Sequence, residues 1–132
     1  TTIESRLTRK ADPAKAVDNY TQLGLGYIGQ GRYDRARARL NRALEINPDY
    51  APANNAMALL LQSEREPELA EEYFLKSIDL DDEFSQGQFN YGMFLMQHNR
   101  YSEACDYLKN AADDVEYQQR AKASQNLRAA VI

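Results

Sequence analysis

Large apolar residues recur along most of the chain at offsets of three, four and seven: Leu23, Tyr27, Leu40 and Leu44, then Met57, Leu61, Phe74 and Ile78, then Tyr91, Leu95 and Leu108. This is the spacing of a stripe on a helix; a strand would place such residues at every second position. Small residues sit at fixed places within the stripe, with Gly24, Ala58 and Gly92 in one set and Ala36, Ala70 and Ala104 in another. Both sets step by 34 residues with no insertion. The pattern predicts helices over about 14–29, 33–46, 52–63, 67–80, 85–97 and 101–112, with a seventh over about 118–131. The breaks agree: Gln30-Gly31-Arg32, Glu64-Arg65-Glu66-Pro67 and His98-Asn99-Arg100 divide each unit in two, and Asn47-Pro48-Asp49 closes the first. Proline disfavours helix in the residue before it, and Pro52 and Pro67 suit a first helical turn.

The repeat has a recognisable motif. The first unit reads Tyr20-x-x-Leu23-Gly24-x-x-Tyr27, Ala36-x-x-x-Leu40 and Pro48, which resembles the tetratricopeptide pattern of W-x2-L-G-x2-Y, A-x3-F and P. The same positions hold Asn54, Met57, Ala58, Leu61, Ala70 and Phe74 in the second unit and Gln88, Tyr91, Gly92, Leu95, Ala104 and Leu108 in the third. The resemblance implies an all-α, right-handed superhelix of antiparallel helix pairs, each pair stacking on the next because neither helix buries its apolar face alone. Small residues belong where helices approach closely, since a packed interior accommodates little added volume. The repeats are placed at about 17–50, 51–84 and 85–118, followed by a helix at about 118–131 from an incomplete fourth. The repeat domain therefore covers 13–132, and the mostly polar residues 1–12 are expected to form a flexible tether. Leu127-Arg128 stands two residues late for the fourth unit's Leu-Gly pair, and Ala129 to Ile132 make a poor polar cap. Further repeats are expected beyond this end, and an upstream segment is expected before Thr1 because the sequence does not begin with Met.

Composition narrows the function. The chain has 132 residues, 43% of them hydrophobic, and a formal charge of -4, which disfavours binding to nucleic acid or an anionic membrane surface. Arg32, Arg35, Arg37, Arg39 and Arg42 crowd the second helix, but no aromatics alternate with them as a single-strand binding groove needs. No apolar run is long enough to span a membrane, and no secretory leader is present in this sequence. One histidine, His98, and one cysteine, Cys105, offer neither a metal set nor a positioned thiol–imidazole pair. Asp79 to Glu83 lacks the glycine and closing glutamate of a calcium loop. The reading is of a protein that is not an enzyme, takes no cofactor or small-molecule substrate, and acts by binding protein.

In such a superhelix the first helix of each pair lines the concave side. The groove is read from the fifth, ninth and twelfth residues of each unit: Thr21, Leu25 and Ile28; Asn55, Leu59 and Gln62; Phe89, Met93 and Met96. This stripe is apolar with a few amides and has no lysine or arginine. Methionines adapt to a partner's apolar side chains. Chaperone-binding tetratricopeptide proteins clamp a C-terminal carboxylate with cations and amides; here Thr21, Asn55 and Phe89 stand in those places and only Asn55 fits.

A closer resemblance lies in particular segments. Ala11-Asp12-Pro13-Ala14-Lys15-Ala16, Tyr20-Thr21-Gln22-Leu23-Gly24-Leu25-Gly26-Tyr27 and Ala43-Leu44-Glu45-Ile46-Asn47-Pro48 are similar to the type IV pilus biogenesis and stability pilotins of the PilF/PilW type. Glu66-Pro67-Glu68-Leu69-Ala70 and Asn90-Tyr91-Gly92-Met93-Phe94-Leu95 add to the match, which covers about residues 11–128. The resemblance implies a lipoprotein on the periplasmic face of the outer membrane, anchored through a cysteine upstream of Thr1, that helps the pilus secretin reach that membrane and assemble its ring. It implies about six repeats in the whole protein, and a role in the fimbrium and twitching motility follows from it. Arg128 replaces the glycine expected in the fourth repeat. Two other readings stay open: a tetratricopeptide scaffold or co-chaperone-like adaptor with another partner, periplasmic or cytoplasmic, and an accessory repeat region of a larger enzyme.

Overall fold

The computed structural model describes residues 12–132, which form seven helices: α1 (Pro13–Gly29), α2 (Tyr33–Ile46), α3 (Ala51–Ser63), α4 (Pro67–Leu80), α5 (Ser85–Gln97), α6 (Tyr101–Asp113) and α7 (Arg120–Ala130). The pattern of apolar positions predicted each of them, with ends displaced by no more than two residues. The tether expected at 1–12 lies outside the described residues except for Asp12, whose Oδ1 accepts from the backbone N–H of Ala14 at 3.0 Å and caps α1. Helices α1–α2, α3–α4 and α5–α6 pair as hairpins, α7 packs on α6, and α1, α3, α5 and α7 are successive neighbours along one side.

One turn closes all three hairpins. Gly31, Arg65 and Asn99, 34 residues apart, adopt left-handed backbone with φ of 73°, 62° and 59°. In each, that residue's N–H donates to a carbonyl three residues back (Ile28, Gln62, Met96), and the next N–H donates five back (Tyr27, Leu61, Leu95). This is the Schellman arrangement, which satisfies carbonyls left open by the end of a helix. Glycine suits the position, while Arg65 adopts it at a steric cost.

The turns between hairpins share a second device. Asn47, Asp81 and Asp114 each accept through Oδ1 from the backbone N–H two residues on, at 3.0, 3.0 and 3.1 Å, the side chain standing in for a turn of backbone. Where the repeat motif has tryptophan, Asn54 donates to the carbonyls of Pro48 and Tyr50, and Gln88 to that of Asp82. These buried amides tie each hairpin to the turn before it. The first two connections hold residues 47–50 and 81–84, whereas the third holds 114–119. That two-residue extension is why Leu127 arrives late; it still packs, half-buried, against the core.

The core is continuous through the hairpins. Phe74, Phe94, Leu40, Leu60, Leu95 and Leu108 are its largest fully buried side chains, and Ala36, Ala70 and Ala104 are wholly enclosed. A Cβ on Gly24 would lie 2.5 Å from Leu40 Cδ2, and one on Gly92 would lie 2.7 Å from Leu108 Cδ2. At those crossings the backbone itself is the packing surface. Phe74 packs against Phe94 with rings tilted by 50° at 5.3 Å, and Tyr91 meets Tyr107 edge-on at 4.7 Å between ring centroids. The Tyr91 hydroxyl donates to Glu71 at 2.6 Å, and Arg100 pairs with the same carboxylate at 2.7 Å, so the second and third units are joined by polar as well as apolar contact. Burial first, and then the Glu71 hydrogen bond, push the Tyr91 phenol pKa upward.

One core assignment differs. Leu23 is 47% exposed, whereas its equivalents Met57 and Tyr91 are 4% and 3% exposed. Both belong to the buried core, and Tyr91 rests on Phe74 of the hairpin before it; Leu23 belongs to the first hairpin, with no earlier unit among the described residues to cover it.

Candidate functional site

A cavity of about 440 Å³ opens across α1, α3 and α5. Helix α1 contributes Asp18, Gln22 and Leu25, and α3 contributes Pro52, Asn55 and Leu59. Gln86 and Asn90 come from α5, and Phe84 from the residue before it. Asp18, Pro52 and Gln86 are 34 residues apart, so the same register position of three successive units forms one wall. Within α1, offsets of four and three turn the liners to one face.

The surface is amphipathic. Leu25 and Leu59 are half-buried apolar side chains. Beside them runs a chain of carboxamides: Gln86 Nε2 donates to Asn90 Oδ1 at 2.8 Å, and Asn90 Nδ2 to Asn55 Oδ1 at 3.4 Å. Asn55 is buried at 3% exposure, while Gln86 and Asn90 are half-buried; each carboxamide has two donors and an acceptor with two lone pairs, so the latter two keep capacity at the open side. A peptide backbone has the complementary groups. Asp18 Oδ1 accepts from the Tyr50 hydroxyl at 3.0 Å, and burial, followed by that hydrogen bond, raises the Tyr50 pKa.

Of the nine residues read from the sequence as a groove, Leu25, Asn55 and Leu59 are brought together here. Thr21 is not surface: it is fully buried, and its hydroxyl donates to the Val17 carbonyl at 2.8 Å, an intrahelical bond. Phe89 is 8% exposed, with its ring 6.1 Å from that of Tyr117, so the connection into α7 covers it. Ile28, Met93 and Met96 are half-buried against the core and do not line the cavity. Gln62 lies off the cavity, donating to Gln97 Oε1 at 2.6 Å and linking α3 to α5. Sequence reasoning missed Asp18, Gln22, Pro52, Phe84, Gln86 and Asn90. For Asp18, Pro52 and Gln86 the signal was present, since they are the second position of each unit; Gln22 and Asn90 share the sixth.

Other reactive side chains are engaged locally. The Cys105 thiol donates to the Tyr101 carbonyl, and His98 Nδ1 lies 2.8 Å from the Phe94 carbonyl with its ring on that of Phe94. Arg37 pairs with Glu64, and Arg42 with Glu45 at 3.1 Å. Among the described residues no group of three or more His, Cys, Asp or Glu side chains could hold a metal ion, and no helix is long and apolar enough to cross a membrane.

Stacked helical hairpins with a cavity on their shared face define a helical-repeat binding domain. Comparison with known proteins gives the class its name: residues 24–63 match the TPR repeat and residues 55–126 the tetratricopeptide repeat, so the chain belongs to the tetratricopeptide-repeat family. Within it, the chain is 41% identical over 113 residues to the type IV pilus assembly protein PilF of Pseudomonas aeruginosa strain PAO1, covering 86% of this chain and 45% of that protein. The solved structure of P. aeruginosa PilF superposes with a TM-score of 0.86 at 39% identity, over 89% of this chain and 53% of that one. That of PilW, a type IV pilus biogenesis factor, gives 0.79 at 26% identity, over 86% and 52%. The chain thus spans about half the length of these relatives. The Yersinia enterocolitica chaperone SycD, solved with a peptide of the translocator YopD, shares the fold with a TM-score of 0.73 at 16% identity, over 89% and 93%.

Proposed function

We propose that this chain is the binding part of a non-enzymatic adaptor in type IV pilus biogenesis, a pilotin that helps the outer-membrane secretin localise and multimerise. The observation that carries this reading is the 41% identity to PilF over 113 residues, 86% of this chain. The cavity supports the mechanism. A partner segment places an apolar side chain against Leu25 and Leu59, and its backbone exchanges hydrogen bonds with Gln86 and Asn90, which Asn55 holds in place from beneath. Binding of this kind needs no catalytic group; the adaptor acts by holding the secretin subunit where assembly occurs. In this reading the whole protein sits at the periplasmic face of the outer membrane, held by a lipid on a cysteine upstream of Thr1.

The test places Leu59→Glu in the full-length protein and measures how much secretin reaches the outer membrane and how much of it is multimeric. A buried carboxylate facing an apolar partner costs several kcal/mol, so secretin co-isolation and the multimeric fraction are expected to fall at least about tenfold. Thermal unfolding of the variant must stay near that of the parent, since Leu59 is only half-buried. A folded variant that supports secretin assembly at the parental level refutes the reading of this cavity.

A further inference from the structure

The cavity carries one carboxylate, Asp18, among its own lining residues, and more stand along the cavities that adjoin it. Phe84 and Gln86 are shared with a second cavity of about 410 Å³, whose charged liners are Asp81, Glu83, Asp114 and Glu116. Glu83, Ser85 and Asp114 are shared in turn with a third, of about 670 Å³, to which Asp82 and Asp113 add two more carboxylates. No lysine or arginine lines any of the three. Two cations border this stretch: Lys109 pairs with Asp113 at 2.7 Å and so offsets that carboxylate, and Arg120, whose Nε donates to the Ala112 carbonyl at 3.1 Å, also acts on Asp114; Asp81, Asp82, Glu83 and Glu116 outnumber them. Asp81, Glu83 and Glu116 are exposed and Asp114 half-exposed, so a partner can reach them. Asp114 is also fixed in place: the Ser85 hydroxyl donates to it at 2.5 Å and the Glu116 N–H at 3.1 Å. Those two hydrogen bonds hold its carboxyl below the usual range and keep it charged. Excess charge of one sign along a groove selects partners of the other sign and steers their encounter.

We infer that the segment bound across α1, α3 and α5 is an extended peptide with an apolar anchor for the Leu25–Leu59 cavity and, just beyond it, a lysine or arginine. That side chain passes Phe84 and Gln86 to reach the carboxylates of the α4–α5 and α6–α7 turns. The inference rests on the peptide-binding reading above and adds the sign of the partner's charge. It fits the groove better than an acidic tail, which would meet Asp18 at one end and these carboxylates at the other.

The test selects a random-sequence dodecapeptide library on the full chain and measures the recovered peptides individually by fluorescence anisotropy. Two variants accompany it. In one, Asp81→Asn, Glu83→Gln, Asp114→Asn and Glu116→Gln together remove charge; asparagine keeps the acceptor each turn needs, as Asn47 does in the first turn. The other is Leu25→Glu. The inference expects enrichment of lysine or arginine at a fixed distance from an aliphatic residue. It expects binding about three- to tenfold weaker in the charge-removed variant. It also expects that raising salt from about 50 to about 500 mM weakens binding to the parent but not to that variant. Peptides lost with Leu25→Glu but indifferent to charge removal and salt overturn this inference and leave the groove reading standing. Peptides indifferent to Leu25→Glu, or no enrichment at all, overturn both.

Discussion

Alanine at Gly92 and alanine at Gly26 should change stability in opposite directions. In a helix interior, glycine is roughly 1 kcal/mol less favourable than alanine, so each replacement starts with that gain. At Gly26 nothing lies within 4 Å of the added Cβ, and the expected net effect is a stabilisation of about 0.5–1 kcal/mol. At Gly92 the added Cβ would lie 2.7 Å from Leu108 Cδ2 and 2.8 Å from its Cγ, against a comfortable carbon–carbon separation of about 3.5–4.0 Å. Leu108 is fully enclosed and must move by roughly 1 Å where there is little room to do so. Overpacking of this size costs about 1–3 kcal/mol, and the net expectation is a loss of up to about 2 kcal/mol. Urea denaturation followed by far-ultraviolet circular dichroism gives both values, provided the m-value is unchanged. Shortening the obstructing side chain supplies an internal control: Leu108→Val should cost less in the Gly92→Ala background than alone, with a coupling of about 0.5 kcal/mol or more. If Gly92→Ala stabilises as much as Gly26→Ala, the close crossing of α5 over α6 does not limit packing and the reasoning fails.

Two further variants probe other parts of the frame. Arg65→Gly removes a left-handed arginine from the α3–α4 turn and should stabilise by about 0.5–1 kcal/mol, read as a rise in urea midpoint; an unchanged or lowered midpoint would mean the Schellman turn is unstrained there. Phe74→Ala empties the position shared with Leu40 and Leu108 and should cost about 3–5 kcal/mol by the same measurement.

The fold was legible because its constraints are local and repeated. Gly24 and Gly92 face Leu40 and Leu108 in the same crossing, Ala58 and Phe74 stand at the equivalent positions of the unit between, and each turn sits at an interruption of the apolar stripe. The left-handed turn residue was less visible in the second hairpin, since Gly31 and Asn99 are common choices for that conformation and Arg65 is not. The cavity was legible only in part. Thr21, Asn55 and Phe89 occupy one register position and all three are buried, Thr21 with its hydroxyl bonded within its own helix and Phe89 beneath the α6–α7 connection; only Asn55 borders the cavity, through its hydrogen bond to Asn90. Periodicity gives the face of a helix, whereas accessibility depends on what the neighbouring segment covers. Phe84 illustrates the limit, because it lies in the connection before α5 and reaches the cavity only once that turn is folded.

The turn that closes each hairpin also bears on how the chain folds. Its hydrogen bonds join residues three and five apart, and the two helices it joins are each other's main partners. Little entropy is lost in bringing such near neighbours together, and chains dominated by local contacts fold in roughly microseconds to milliseconds. Translation adds residues at about 5–20 per second, so α1 and α2 can pair while α3 is still being made. Each later hairpin then meets a finished apolar face and extends it. The superhelix grows in the order of synthesis, and the surface waiting for a partner at any moment is that of a single unit.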